Sequence, residues 1–113
     1  MTNKQFSLAF TEASNYTDID AFISDLSLSS IWEDAPEDDI PADRIEQLRE
    51  IFIAAHRSVR EIRASTGLSQ VQFAARFAIP RRTFEDWESL GTCPSYVRLM
   101  MQEALGLTSI SRN

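Results

Sequence analysis

Pro80 does more than any other residue to restrict what this chain can fold into. It lies inside Ile62 to Pro94, a stretch whose residues otherwise favour helix, and a proline pushes the residue before it out of the helical region. Ala78-Ile79-Pro80 therefore predicts two short helices with a tight turn between them, Pro80 suiting the start of the second. The first should open at Ser69-Gln-Val-Gln72, a capping-box match, and run through Phe77. The second should cover about Arg81 to Ser89 and end at Gly91-Thr-Cys-Pro94. Phe73, Ala74 and Phe77 give the first helix a close-packing apolar side. Ile79, Phe84 and Trp87 give the second a stripe to bury, which leaves Arg81, Arg82, Glu85 and Asp86 facing outward.

The rest of the chain also predicts helix. Three glycines and four prolines in 113 residues are too few for a turn-rich β fold, and the expected class is all-α. Phe6, Ala9, Phe10 and Ala13 lie on one helical face; Ile19, Phe22, Ile23 and Leu26 repeat the spacing, with Thr17 placed as a cap. Ser29 to Pro41 reads as a loop, with Pro41 near the first turn of the next helix. Ile45, Leu48, Phe52, Ala55, Val59 and Ile62 then form a heptad-like seam. One continuous helix would satisfy it, but Ser58-Val-Arg-Glu61 matches a capping box, and a break near His56 is the favoured reading. Ile51 and Ile53 fall off the seam and are free to face a partner. A last helix is expected from about Pro94 to Leu105, with Val97, Met100, Met101, Ala104 and Leu105 on one face and Gly106 as the C-cap.

Charge divides the chain. Its net charge of −6 conceals a segment 1–43 with one Lys against ten Asp and Glu, and a segment 44–113 with ten Arg against seven acids. Different tasks follow for an acidic helical extension and linker, 1–43, and a domain, 44–113, that can approach a phosphate backbone. Glu33, Asp34, Glu37, Asp38 and Asp39 lack the alternating ligands and central Gly of a calcium loop and read as a solvated acidic loop. The lone Cys93 and lone His56 build no metal site, and no phosphate-binding loop or nucleophile motif is present, so neither an enzyme nor a cofactor is expected. No apolar run approaches the ~18 residues of a membrane span, and the N-terminus lacks the basic start and apolar core of a signal peptide. The expected compartment is the cytoplasm.

Residues Val59 to Leu107 resemble the Cro/lambda-repressor-like helix-turn-helix domain, the Xre family. Leu68-Ser69-Gln70 is similar to the family's Leu-Thr/Ser-Gln entry, and Phe73-Ala74 and Phe77 stand where it has Leu-Ala and Leu. Ile79-Pro80-Arg81-Arg82-Thr83-Phe84 resembles the start of its recognition helix, Trp87-Glu88 its common Trp-Glu, and Pro94 a proline that often follows. Two departures stand out. Ala78 occupies a position that is usually Gly and often needs positive φ, and Glu85 and Asp86 are acids where many members are neutral or basic.

The resemblance implies a lambda-repressor-like helical bundle and a sequence-specific regulator of transcription, a repressor binding double-stranded DNA as a homodimer and reading the major groove with the helix that starts at Arg81. Arg81 and Arg82 are its candidates for guanine, and Glu85 and Asp86 for cytosine N4. Arg57, Arg60, Ser69, Gln70, Thr83 and Thr92 are its candidates for phosphate. The alternatives are an antitoxin that binds a toxin through residues 1–43, and an interaction or inhibitor module acting through that acidic segment.

Overall fold

A computed structural model describes residues 1–32, 41–108 and 110–112. Among them are seven α-helices and no strand: α1 Asn3–Ala13, α2 Ile19–Ser27, α3 Ala42–His56, α4 Val59–Ala64, α5 Gln70–Arg76, α6 Arg81–Leu90 and α7 Ser95–Ala104. The all-α class is as expected. Packing groups Met1–His56 with Thr108–Asn113, and Arg57–Leu107 separately. The division by packing thus falls at residue 56, whereas the division by charge falls at 43, so α3 belongs structurally with α1 and α2. The acidic cluster Glu33, Asp34, Glu37, Asp38 and Asp39, with its reading as a solvated loop, lies outside the described residues. None of the described helices is long and apolar enough to cross a membrane.

In the first unit α1 and α2 both pack on α3. Thr2 and Gln5 close a reciprocal capping box at the start of α1, and Phe6, Ala9, Phe10 and Ala13 are its buried face. Asp18, not Thr17, caps α2, its carboxylate accepting from the Asp20 N–H at 3.0 Å. Both residue types cap well, and only the residue one step nearer the helix has the geometry. Phe22 is fully buried, with the Tyr16 ring edge-on at 5.5 Å and the Phe52 ring at 5.6 Å. At the end of α3 the His56 ring stacks on Phe52. Its Nε2 lies 2.9 Å from the Ala13 carbonyl oxygen; that oxygen can only accept, so Nε2 carries the proton.

Ile51, read as free for a partner, is fully buried. Because α3 meets two helices, its buried arc (Leu48, Ile51, Ala54 and Ala55) is wider than a two-helix seam. Ile53 is exposed, as that reading requires.

The second unit begins where α3 stops. Ser58 and Glu61 form the capping box expected from their spacing, and α4 starts afresh at Val59. Helices α6 and α7 pack on α4, and α5 on α6. Val59, Ile62, Phe73, Ala74, Phe84, Cys93 and Met101 form the core. The fully buried Phe73 ring lies 4.9 Å from Phe77 and 5.1 Å from Phe84; truncating Phe73 or Phe84 to Ala would cost about 3–5 kcal/mol. On α7 the expected apolar face is narrower than its spacing suggests. Met101 is buried, but Met100 is 56% exposed, and Gln102 takes a fully buried place.

Candidate nucleic-acid interface

Helix α6 is held at both ends. At its start, α5 closes with two backbone bonds: the Ile79 N–H donates to the Ala74 carbonyl at 2.9 Å and the Ala78 N–H to the Ala75 carbonyl at 3.2 Å. This is the Schellman pattern, which needs a left-handed residue at its centre. That residue is Ala78, with φ 54°, the one non-glycine residue of positive φ among those described. The turn is therefore the one a glycine would make, carried by an alanine. It sends Ile79 back into the core and delivers Pro80 to the start of α6.

The far end of α6 is tied by Glu88, whose side chain is only 1% exposed. Arg63 Nε of α4 donates to its Oε1 at 2.6 Å, and Gln70 Nε2 of α5 donates to its Oε2 at 2.9 Å. Arg63 also donates to the Leu68 carbonyl at 3.1 Å. One carboxylate thus joins three helices. Burial pushes its pKa up, but the hydrogen bonds from Arg63 and Gln70 and the charges of Arg63 and Arg60 outweigh it, leaving the carboxyl below the usual glutamate value.

With both ends anchored, α6 buries Phe84 and the Glu88 side chain and half-buries Thr83 and Trp87, while Arg81, Arg82 and Asp86 are exposed. Arg81 Nε donates to Glu85 Oε1 at 2.8 Å, one turn along the helix. This pair is open to solvent, with side chains 69% and 40% exposed, and contributes about 0.3–0.5 kcal/mol at most. Glu85 therefore lies beside Arg81 as its partner, where the resemblance offered it to cytosine. Arg82 has no hydrogen bond or ion pair among the described residues.

The start of α6 differs from the starts of α1, α4 and α5, which each carry a capping box. At α6, Pro80 leaves the first N–H groups without a side-chain cap. Those N–H groups point along the axis as a partial positive charge, and two arginines follow them.

The residues expected at phosphate divide in two. Arg60 and Thr92 are exposed. Ser69 is exposed with its hydroxyl capping the Gln72 N–H. Gln70 has its amide on Glu88. Arg57 is turned inward: its guanidinium donates to Gln102 Oε1 at 2.7 Å, while Arg98 donates to the Arg57 carbonyl at 2.8 Å. Arg57 thereby fastens the start of α4 to α7, which also accounts for the buried Gln102. Arg76, exposed on the last turn of α5, was not singled out from sequence. Its signal was an arginine on the polar side of a helix that ends four residues before Pro80.

Among the described residues no three His, Cys, Asp or Glu side chains gather into a metal-sized cluster. Burial pushes the Cys93 thiol up to about 11 despite the opposing charge of Arg98, so it is protonated at neutral pH. The second unit, Arg57–Leu107, holds seven arginines and five acids, and Arg60, Arg76, Arg81 and Arg82 are its exposed cations. No family model, curated protein or solved structure matches this chain.

Proposed function

We propose that this chain is a sequence-specific double-stranded DNA-binding regulator of the Xre type. It acts in the cytoplasm as a repressor and binds as a homodimer, with the start of α6 entering a major groove. The observation that carries the reading is the pairing of two exposed arginines with an uncapped helix start on a helix anchored at both ends. An α-helix fits the major groove, an arginine fork matches guanine O6 and N7, and free N–H groups at a helix start receive phosphate. Helix α5 supplies the brace that a recognition helix needs, and Arg60 and Arg76 are cations available to phosphate. One such unit covers few base pairs, which is why a two-copy complex on a two-fold site is part of the reading.

The test is selection of duplexes from a random library by the full-length chain at near-physiological salt, followed by titration of the enriched duplex with Arg82→Ala. The expected result is a palindromic consensus. Loss of Arg82 should weaken binding to it by about 5- to 150-fold, the 1–3 kcal/mol of one bidentate base contact. A library that yields no consensus would remove the reading.

A second reading, a protein-interaction module such as an antitoxin engaging its partner through the acidic segment, is favoured by Leu8 and Leu28. These are 46% and 70% exposed on the α1–α2 side of the first unit. Exposed leucines among acids suit a partner that offers apolar and basic groups together.

A further inference from the structure

Between α1 and α2 the first unit opens a groove of about 300 Å³. Its apolar floor is the buried Leu26 from α2 and the half-buried Ile31 beyond it, flanked by the exposed Leu8 from α1. Its rim is acidic: Glu12, one turn after Leu8 on the same face of α1, and Asp25 on α2, both exposed. The Tyr16 hydroxyl, also at the groove, donates to Asp25 Oδ2 at 2.8 Å. That bond fixes one carboxylate oxygen at the rim and leaves the other with its acceptor capacity. The Tyr16 hydroxyl stands above its ordinary pKa, first through the hydrogen bond to Asp25, then through burial, and last through the charges of Asp25 and Glu12. Residues 1–32 contain one basic residue, Lys4, against Glu12, Asp18, Asp20 and Asp25, and Lys4 does not line the groove.

A volume of this size receives one or two side chains, not a folded surface, and its lining asks two things of them. The floor asks for a large apolar group; the rim asks for a cation within a few ångströms of it. A helical segment provides both when Leu, Ile, Met or Phe is followed by Lys or Arg three or four residues later. We infer that the α1–α2 groove is the docking site for a short basic amphipathic segment of a partner protein, its apolar residue on Leu8, Leu26 and Ile31 and its cation between Glu12 and Asp25. This deepens the second reading of the function and stands independently of whether α6 binds DNA.

The experiment is selection from a random 12-residue peptide library displayed on phage, using the full-length chain and, in parallel, Leu8→Asp and Glu12→Lys. Both residues are exposed, so thermal melting of the two variants should match the parent. The expected result is enrichment of peptides with a large apolar residue and a Lys or Arg one turn away. Enrichment should fall at least tenfold on either variant. No enrichment, enrichment of acidic or uncharged peptides, or equal enrichment on the variants would overturn the inference. If peptides are not enriched and Leu8→Asp abolishes self-association of the chain in sedimentation, the groove belongs to a second copy, and the inference is equally overturned. Duplex binding by the same variants is measured alongside; because α6 is untouched in both, failure in a variant that still self-associates would bear on the DNA reading alone.

Discussion

Replacing Ala78 by Gly should stabilise the protein, although it deletes a methyl group. Ala78 is the centre of the turn that sets α6, and its φ of 54° places it in the left-handed region. There the Cβ of an L-residue crowds the backbone, at a cost of roughly 1–2 kcal/mol. Glycine removes that cost but gives the unfolded chain more freedom, which returns about 0.4–1 kcal/mol. The methyl is exposed, so little packing is lost with it. The balance is a gain of about 0.5–1 kcal/mol, or about 2–8 °C in melting temperature for a unit of this size.

The same unit contains its own control. At the end of α7 the Leu107 N–H donates to Gln102 at 2.8 Å and the Gly106 N–H to Glu103 at 3.1 Å, the same two-bond motif with Gly106 at its centre, φ 72°. A Cβ built there meets nothing within 4 Å. Gly106→Ala should therefore lose about what Ala78→Gly gains, for backbone reasons alone. Thermal and urea unfolding followed by circular dichroism measure both. Hydrogen exchange at the Ile79 amide, bonded to the Ala74 carbonyl, should slow in Ala78→Gly. A destabilised Ala78→Gly would refute the reasoning, as would a neutral Gly106→Ala.

Other consequences follow from single groups. Because Glu88 has a lowered pKa when folded, its share of the stability is complete above the ordinary glutamate value of 4.5 and is lost as pH falls through the lower folded value. Unfolding titrations from pH 6 downward should show this loss, and Glu88→Gln, destabilised at neutral pH by leaving Arg63 without its carboxylate, should show less of it; an equally steep acid limb in the variant would argue against the linkage. Cys93, with its thiol at about 11 against an ordinary 9.0, should carry roughly a hundredfold less thiolate than a free cysteine and react with thiol reagents at least that much more slowly until the chain is unfolded. Comparable rates in native and denatured protein would contradict its burial. Glu85→Gln releases Arg81 from its partner at 2.8 Å and should leave the melting temperature within about 2 °C, since exposed pairs contribute little; a loss of several degrees would show that the pair does more than its exposure implies.

Much of the helical pattern was legible because it depends on residues close in sequence. The buried face of α1 follows from the spacing of Phe6, Ala9, Phe10 and Ala13, and two capping boxes opened α4 and α5 where Ser58 and Ser69 predicted. The α3–α4 break was legible for the same reason: a serine hydroxyl and a carboxylate three residues apart satisfy each other's backbone partners without help from elsewhere. The left-handed conformation of Ala78 was marked only by the resemblance, which puts it at a position usually held by Gly. The misplacement of Ile51 comes from the number of neighbours. A heptad seam assumes one partner, and α3 has two, so Ile51 went inside.

The candidate site shows the same limit more sharply. Exposure of Arg81, Arg82 and Asp86 follows from which residues of α6 must face the core, a property of one helix. The commitments of Gln70 and Arg57 do not. Gln70 meets Glu88 across 18 positions, Arg63 meets Glu88 across 25, and Arg57 meets Gln102 across 45. Each side chain looked available for phosphate, or unremarkable, while only its own helix was considered. A buried carboxylate changes that. Glu88, at 1% exposure, must be met by donors from the helices around it, because a charge left without them costs several kcal/mol. Arg63 and Gln70 are therefore drawn inward, and the exposed cations are those that make no hydrogen bond to Glu88: Arg60, Arg76 and Arg82, with Arg81 beside Glu85. Distinguishing Arg63 from an arginine free to bind thus requires locating the buried acid first, and distinguishing Arg57 requires locating the buried Gln102.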